Sequence, residues 1–348
     1  PDYPYFSSVS PALMAHFHAS AQDIIAARNL RPADLVIEAA SNDGYMLKTF
    51  AKHGIGVLGI DPADGPVAIA RNNGIATKHD FFSAKLAGEL VANGQRADVF
   101  LANNVLAHVA DVHDFVTGVK TVLRTDGIAI FEFPYLLDLV DTCAFDTIYH
   151  QHLLYLTLSA LMPLLAREGL FINDARRIDI HGGSLRVFVS KSAGQTGRLQ
   201  NLLALETRRD VLSTQFYRDF LTRLKSVRSQ TRAAVARLKS ANKRVAAYGA
   251  AAKATTFLHH VGLDRQDIEF IVDKSTWKHG LNMPGNGIPI FAPGHLAHSG
   301  VDAVIILAWN FADEIIAENQ AFLRAGGTFL VPIPEMRIIK SGPVGVPA

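Results

Sequence analysis

From residue 34 onward, short runs of β-branched and apolar residues alternate with longer segments whose apolar positions recur every three or four residues. The runs at 35–37, 56–60, 98–102 and 127–131 have the length of buried strands, and the segments between them have the helical period. Strand and helix in alternation predict a doubly wound parallel sheet, an α/β fold. A helix over 10–29 precedes it, with Pro11 near its start and Leu13, Met14, Phe17, Ile24 and Ile25 on its apolar positions. This lead-in is expected to pack on the first domain.

After Pro134 the pattern loosens into a helix at 153–168 and strands at 170–180 and 184–190, which extend a first domain spanning 1–205. Residues 206–243 turn charged while Leu212, Phe216, Phe220, Leu224, Val227, Val235 and Leu238 keep a helical stripe, predicting one or two connecting helices. The Arg and Lys residues between those positions read as a solvated face. Alternation resumes at 244–248, 269–272, 301–309 and 328–332, so 244–348 is expected to form a second, smaller Rossmann-like α/β domain.

The composition narrows the function. With 49% hydrophobic and 19% charged residues, the 348-residue chain is not mainly disordered, and it can bury more than one core. Thirty-four basic against 32 acidic residues leave a net charge of +2, which supplies no broad footprint for nucleic acid or an anionic membrane. The single cysteine, Cys143, can form neither an intramolecular disulfide nor a Cys-rich zinc site, and suits a reducing, cytoplasmic setting. No apolar run approaches the roughly 18 residues of a membrane span, and the N-terminus lacks a signal-peptide layout. The chain opens on Pro1 rather than Met, consistent with a missing N-terminal piece.

Candidate chemistry begins where the first strand runs into Glu38, Ala39, Ala40, Ser41, Asn42, Asp43, Gly44 and Tyr45. Ligands of doubly wound sheets sit beyond the carboxyl ends of the strands, where small residues let a cofactor approach the backbone. The turn lacks G-x-G-x-x-G, so it suits S-adenosylmethionine, which has no phosphate, better than a dinucleotide. Asp61 ends the second strand and can accept ribose hydroxyls. Asp80 and Phe81 offer a carboxylate and an aromatic face for adenine, and Asn103 and Asn104 end the fourth strand beside the reaction centre. Four histidines then fall in three short motifs: Asn104 to Val109 with His108, Phe145 to His152 with His150 and His152, and His181 to Arg186. A His-x-His pair can bind metal, but no acidic third ligand accompanies it, and methyl transfer from a sulfonium needs no Lewis acid; no metal is expected.

These motifs, together with Tyr5 to Ser8 and the turn Tyr248 to Lys253, resemble the S-adenosylmethionine-dependent sugar C-methyltransferases over nearly the whole chain. The resemblance implies methylation at C-3 of a nucleotide-linked 4-keto deoxysugar. It implies His152 as the base and Tyr149 and His108 as donors to the C-4 oxygen, with Gln151 able to bond a sugar hydroxyl. Tyr5, Ser8, Arg186 and Lys253 are expected to hold the nucleoside diphosphate across an interdomain cleft, with Tyr248, His150 and His181 also on the substrate. Two departures stand out. Family members commonly begin with a Cys-rich zinc module, absent here, so the chain is a short form or a trimmed one. The family's Tyr-His-Glu-His reads Tyr149, His150, Gln151, His152, a change that bears on the accepted sugar and on the rate. The rivals are a nucleic-acid methyltransferase, an NAD-dependent sugar oxidoreductase and a non-catalytic binder. The first would normally carry a Pro-Pro-aromatic loop or a catalytic cysteine; Phe133, Pro134 and Tyr135 supply one proline, and Cys143 lies in no matching context.

Overall fold

The computed structural model describes residues 11–180 and 182–341. Contacts divide the chain into two units, 1–136 with 153–211, and 137–152 with 212–348.

The first unit opens with α1 (Pro11–Arg28), whose Leu13, Phe17, Ala21 and Ile24 form one buried stripe. Then follow β1 (Leu35–Ala39), α2 (Leu47–Lys52), β2 (Gly56–Asp61), α3 (Asp64–Asn72), β3 (Thr77–His79), α4 (Ala84–Ala92), β4 (Ala97–Asn103), α5 (Val112–Val122) and β5 (Leu123–Pro134). Helix α6 (Leu136–Asp141) leads into the second unit. Back in the first are α7 (Leu158–Arg167), β6 (Phe171–Ile178), β7 (Ser184–Ser190) and α8 (Gly197–Arg208). The strands lie in the order β3-β2-β1-β4-β5-β7-β6. β1 to β5 are parallel, whereas β7 pairs antiparallel with both β5 and β6, so the sheet is mixed at one edge. Strand order reverses between β1 and β4, the place where such sheets hold ligands.

The second unit contains α9 (Thr214–Ser240), β8 (Val245–Tyr248), α10 (Ala252–Val261), β9 (Ile271–Val272), β10 (Ile290–Phe291), β11 (Ala303–Ile306), α11 (Ala312–Glu318), α12 (Gln320–Arg324), β12 (Thr328–Val331) and β13 (Arg337–Lys340). Its sheet runs β10-β9-β8-β11-β12-β13, parallel except for β13. Here the switch point lies between β8 and β11. Gly249 follows β8 at φ 99°, and a Cβ there would stand 2.7 Å from that of Ala308, so only glycine lets the two strand ends meet.

The division differs from the sequence expectation at two places. Residues 206–243 do not form a separate connector: α8 stays with the first unit, where Glu206 accepts from the Tyr135 hydroxyl at 2.7 Å and the Leu158 N–H at 2.7 Å, and α9 joins the second. Residues 137–152, expected in the first domain, belong to the second. Phe145 packs on Phe257 and His260, and the Arg223 guanidinium donates to the carbonyls of Val140 and Asp141. No helix among the described residues is long and apolar enough to cross a membrane.

Candidate active site

In the first unit the turn after β1 uses three left-handed residues, Ala40 (φ 50°), Asn42 (φ 49°) and Gly44 (φ 74°), to double back under the strand end. Asn and Gly tolerate this conformation. Ala40 does so at a cost of about 1 kcal/mol, as found where a backbone is shaped for a ligand. Asp61, at the neighbouring end of β2, clamps the turn: its Oδ2 accepts from the Asn42 N–H and its Oδ1 from the Ala63 N–H, both at 2.9 Å. Burial raises its pKa against those two bonds.

Glu38 is wholly buried, and its Oε1 accepts from Asn103 Nδ2 at 3.0 Å across the switch point. Burial lifts this carboxyl to about 8, against the Asn103 hydrogen bond, with Asp61 and Asp43 adding repulsion. At this strand end three buried oxygens have no hydrogen-bond partner among the described residues, Glu38 Oε2, Ser41 Oγ and Asp43 Oδ1. Asp80 is exposed at the end of β3 with its N–H on the Asp61 carbonyl, and Phe81 is 67% exposed while its neighbour Phe82 is packed on Phe100 and Phe115. Asn104 is left-handed (φ 55°) and its N–H donates to the Glu132 carbonyl. A small-residue turn, a carboxyl group at each of two strand ends, an unpartnered buried carboxyl oxygen and a solvent-facing aromatic ring fit the amino acid, ribose and adenine of S-adenosylmethionine.

The raised Glu38 gives a stability prediction with a definite sign. Between its ordinary value of 4.5 and about 8 the folded state keeps a proton that the unfolded chain has released. The stability it contributes is therefore full below pH 4.5 and lost as pH rises through 8. Glu38→Gln should flatten that decline, read as Tm from pH 5 to 8.5; parallel curves for the two proteins would count against a buried neutral Glu38.

In the first unit three expected site residues point elsewhere. Tyr45 sets its ring edge-on to Phe17 at 4.8 Å in the hydrophobic cluster under α1, because the turn delivers it to the helix side. Ser41 faces the sheet, where a Cβ on Gly59 would come within 2.4 Å of its Oγ, so only its backbone is available to a ligand. Arg186, expected on the diphosphate, is buried and bonded to Glu132 through Nη2 at 2.6 Å and Nε at 2.9 Å. A buried guanidinium opposite a buried carboxylate has no charge to spare for a phosphate. His16 joins them: its Nε2 lies 2.9 Å from Glu132 Oε1 and 3.0 Å from Arg186 Nη2, so it can donate to the first or accept from the second. His108 is exposed on a single 3-10 turn, Leu106–His108.

In the second unit, residues 145–152 carry a defined imidazole. His152 Nδ1 lies 2.8 Å from the Thr147 carbonyl, which can only accept, so Nδ1 carries the proton and Nε2 presents a lone pair. The Tyr149 hydroxyl donates to that Nε2 from 3.1 Å. His150 and Gln151 are exposed beside it. Tyr248 is buried in β8, with its phenol pKa raised by desolvation. Lys253, expected on the diphosphate, turns inward: its Nζ stands 4.3 Å over the Trp309 ring and donates to Asn310 Oδ1. Tyr5, Ser8 and His181 lie outside the described residues, among which no group of three His, Cys, Asp or Glu could hold a metal. The sequence reading missed Glu132, His16, Asp146 and Trp309, whose partners are distant in sequence. It also missed Asp273, which repeats the Asp61 clamp by accepting from the Ala250 N–H at 2.7 Å and the Ser275 N–H at 2.8 Å. An acid closing the second strand of the second domain was the available signal.

Residues 37–131 match the methyltransferase domain family, and residues 179–334 match the C-methyltransferase C-terminal domain family. The C-methyltransferase NovU of Streptomyces niveus is 34% identical over 342 residues, covering 97% of this chain and 81% of that protein. The ubiquinone biosynthesis O-methyltransferase of Azorhizobium caulinodans is 29% identical over 124 residues, 35% of this chain and 47% of that protein. The crystal structure of magnesium protoporphyrin IX methyltransferase from Synechocystis aligns over 53% of this chain and 88% of that one, with 17% identity and a TM-score of 0.42. Matched over nearly its whole length by a carbon methylating relative, and in both of its parts by family, the chain belongs to the S-adenosylmethionine-dependent C-methyltransferases.

Proposed function

We propose that this C-methyltransferase acts on a nucleotide-linked 4-keto deoxysugar at C-3, through an enolate. A carbon nucleophile needs a C–H made acidic by a neighbouring carbonyl, a base to take the proton, and donors for the oxygen on which charge then collects. The observation that carries the reading is the His152 tautomer: with Nδ1–H spent on the Thr147 carbonyl, Nε2 is the basic atom and faces the Tyr149 hydroxyl. Histidine titrates near neutral pH, which suits a base that must also release its proton.

Tyr149, its hydroxyl turned from His152 Nε2 to the bound sugar, and His108 are the donors assigned to the C-4 oxygen, each such donor being worth roughly 3 kcal/mol in the transition state. Gln151 can bond a sugar hydroxyl but cannot take up a proton. Glu38, Asp61 and the 39–44 backbone hold S-adenosylmethionine, with Phe81, Asp80, Asn103 and Asn104 as its remaining neighbours. When bound, it supplies a methyl group on a positively charged sulfur. Positioning of carbon against methyl accounts for much of the remaining acceleration.

The test is a mass-spectrometric screen of 4-keto deoxysugar nucleotides with S-adenosylmethionine, followed by NMR location of the new methyl. Because a C-4 ketone acidifies C-3 and C-5 alike, a methyl found on C-5 would replace the C-3 assignment and keep the base mechanism. A methyl on oxygen, or hydride transfer with NADH, would overturn the reading. For the cofactor site, Asp61→Ala should weaken S-adenosylmethionine binding at least about tenfold, since a carboxylate acceptor for hydroxyls contributes roughly 1.5–3 kcal/mol. Calorimetric titration gives the comparison, and wild-type affinity in the variant would remove Asp61 from the ribose.

A further inference from the structure

We propose that the buried Asp146 carboxylate, held by the Trp309 indole N–H beneath Lys253, is a positioning group for the His152 imidazole, acting through the backbone of Thr147. The inference rests on His152 being the base.

Residues Phe145–Thr147 form one 3-10 turn without a side-chain cap, a weak element by itself. Its anchor is Asp146, 0% exposed, whose Oδ2 accepts from Trp309 Nε1 at 2.7 Å. Lys253 closes the cluster: it lies over the same indole and donates to Asn310, while Asp146 Oδ1 has no hydrogen-bond partner among the described residues. On the other side Phe145 packs against Phe257 and the His260 ring. The very next carbonyl, that of Thr147, receives His152 Nδ1–H, and the Thr147 hydroxyl donates back to the Ala144 carbonyl at 2.7 Å. A shift of Asp146 therefore moves the acceptor that sets both the tautomer and the plane of the base.

Both charges are out of water. Burial pushes Asp146 up to about 6, with Lys253 and Trp309 opposing, and pushes Lys253 down to about 8, with Asp146 opposing. A buried carboxylate whose side-chain donor is one indole N–H responds strongly to loss of that donor. Misplacement of a catalytic group by about 1 Å can cost on the order of 10²-fold in rate, so a clamp one residue from the base's hydrogen-bond acceptor belongs to the kinetics as well as the fold.

The experiment uses the full chain with S-adenosylmethionine and thymidine diphosphate 4-keto-6-deoxyglucose as probe. Methyl transfer and solvent deuterium exchange next to the ketone are followed for Asp146→Asn, Trp309→Phe, Lys253→Met and His152→Ala. Positioning predicts that the first three lose about 10- to 100-fold in kcat and in exchange, while KM for the sugar nucleotide moves less than about threefold. Long-range ¹H–¹⁵N spectra of His152 should show the Nδ1–H form partly lost. Asp146→Asn should be milder than Asp146→Ala, because the amide oxygen still accepts from Trp309. Wild-type kcat in folded Trp309→Phe and Asp146→Asn proteins overturns the inference, leaving a purely structural pair. A raised KM with unchanged kcat in Lys253→Met also overturns it and returns Lys253 to the diphosphate. If an Asp146 variant does not fold, Trp309→Phe, which keeps the ring plane under Lys253, decides the matter. Exchange retained by His152→Ala identifies failure of the base assignment itself, a different result from exchange lost there and kept in the clamp variants.

Discussion

Protein carrying His152→Ala is expected to bind S-adenosylmethionine as the wild type does and to lose methyl transfer, with kcat lower by about 10²- to 10⁴-fold, the range a general base contributes. The expectation follows from atom placement. Nδ1–H is committed to the Thr147 carbonyl, so only Nε2 can accept a proton, and alanine leaves nothing in its place. Tyr149 remains in the variant, but a phenol is too weak a base near neutrality to stand in. Exchange of the proton beside the ketone in deuterated buffer isolates the step, because it needs base and ketone but no methyl donor. Exchange at the wild-type rate would falsify the assignment of His152. Loss of exchange and methylation together, with unchanged calorimetric affinity for S-adenosylmethionine, places the defect at proton abstraction. Tyr149→Phe should fall between the two proteins, losing about 10²-fold through weaker stabilisation of the enolate oxygen.

How far these features were legible in the sequence depended on the range of the interaction. The turn after β1 was legible as a candidate cofactor site because β1, β2 and β4 are largely buried runs with Glu38, Asp61 and Asn103 at or next to their ends, and a doubly wound sheet brings successive strand ends together. The antiparallel edge was not: β6 and β7 read as strands, but nothing in their alternation distinguishes a hairpin partner from a parallel one. The two-residue strands β9 and β10 are too short for any period to show. Tyr45 illustrates a local limit, since a tight turn of left-handed residues decides which face receives the next side chain. Arg186 and Lys253 show the larger limit. Each was legible as a cation beside a motif, and what occupies it comes from afar: Glu132 lies 54 residues from Arg186, and Asn310, which accepts from Lys253, lies 57 residues away. Burial decides the role of a charge, and burial is a property of the packed chain.

Arg186→Met is expected to destabilise the first unit by roughly 3–5 kcal/mol, because it strands Glu132 in the core without its cation. The register explains the exposure to this penalty. Glu38 pairs with Leu101 and Leu101 with Ile130, so Asn103 and Glu132, two residues further along β4 and β5, share the face of Glu38, and Arg186 stands across from Glu132 on β7. The same face carries Val36, Val99, Leu101 and Ile130 in the cluster that α1 covers, so water has little access to an unpaired carboxylate. Burial alone would raise Glu132; the His16 hydrogen bond and the Arg186 charge outweigh it and hold the carboxyl below its ordinary value. Its contribution is therefore full at neutral pH and lost on acidification through that lowered value, the opposite slope to Glu38. For a unit of this size the loss corresponds to a fall in Tm on the order of 10 °C. The double variant Glu132→Leu with Arg186→Met should recover most of it, since apolar replacement of a whole buried pair is often neutral. A fall below about 1 kcal/mol in Arg186→Met would mean the pair is hydrated, as surface pairs are. A raised KM for the sugar nucleotide at unchanged stability would instead put Arg186 back on the diphosphate.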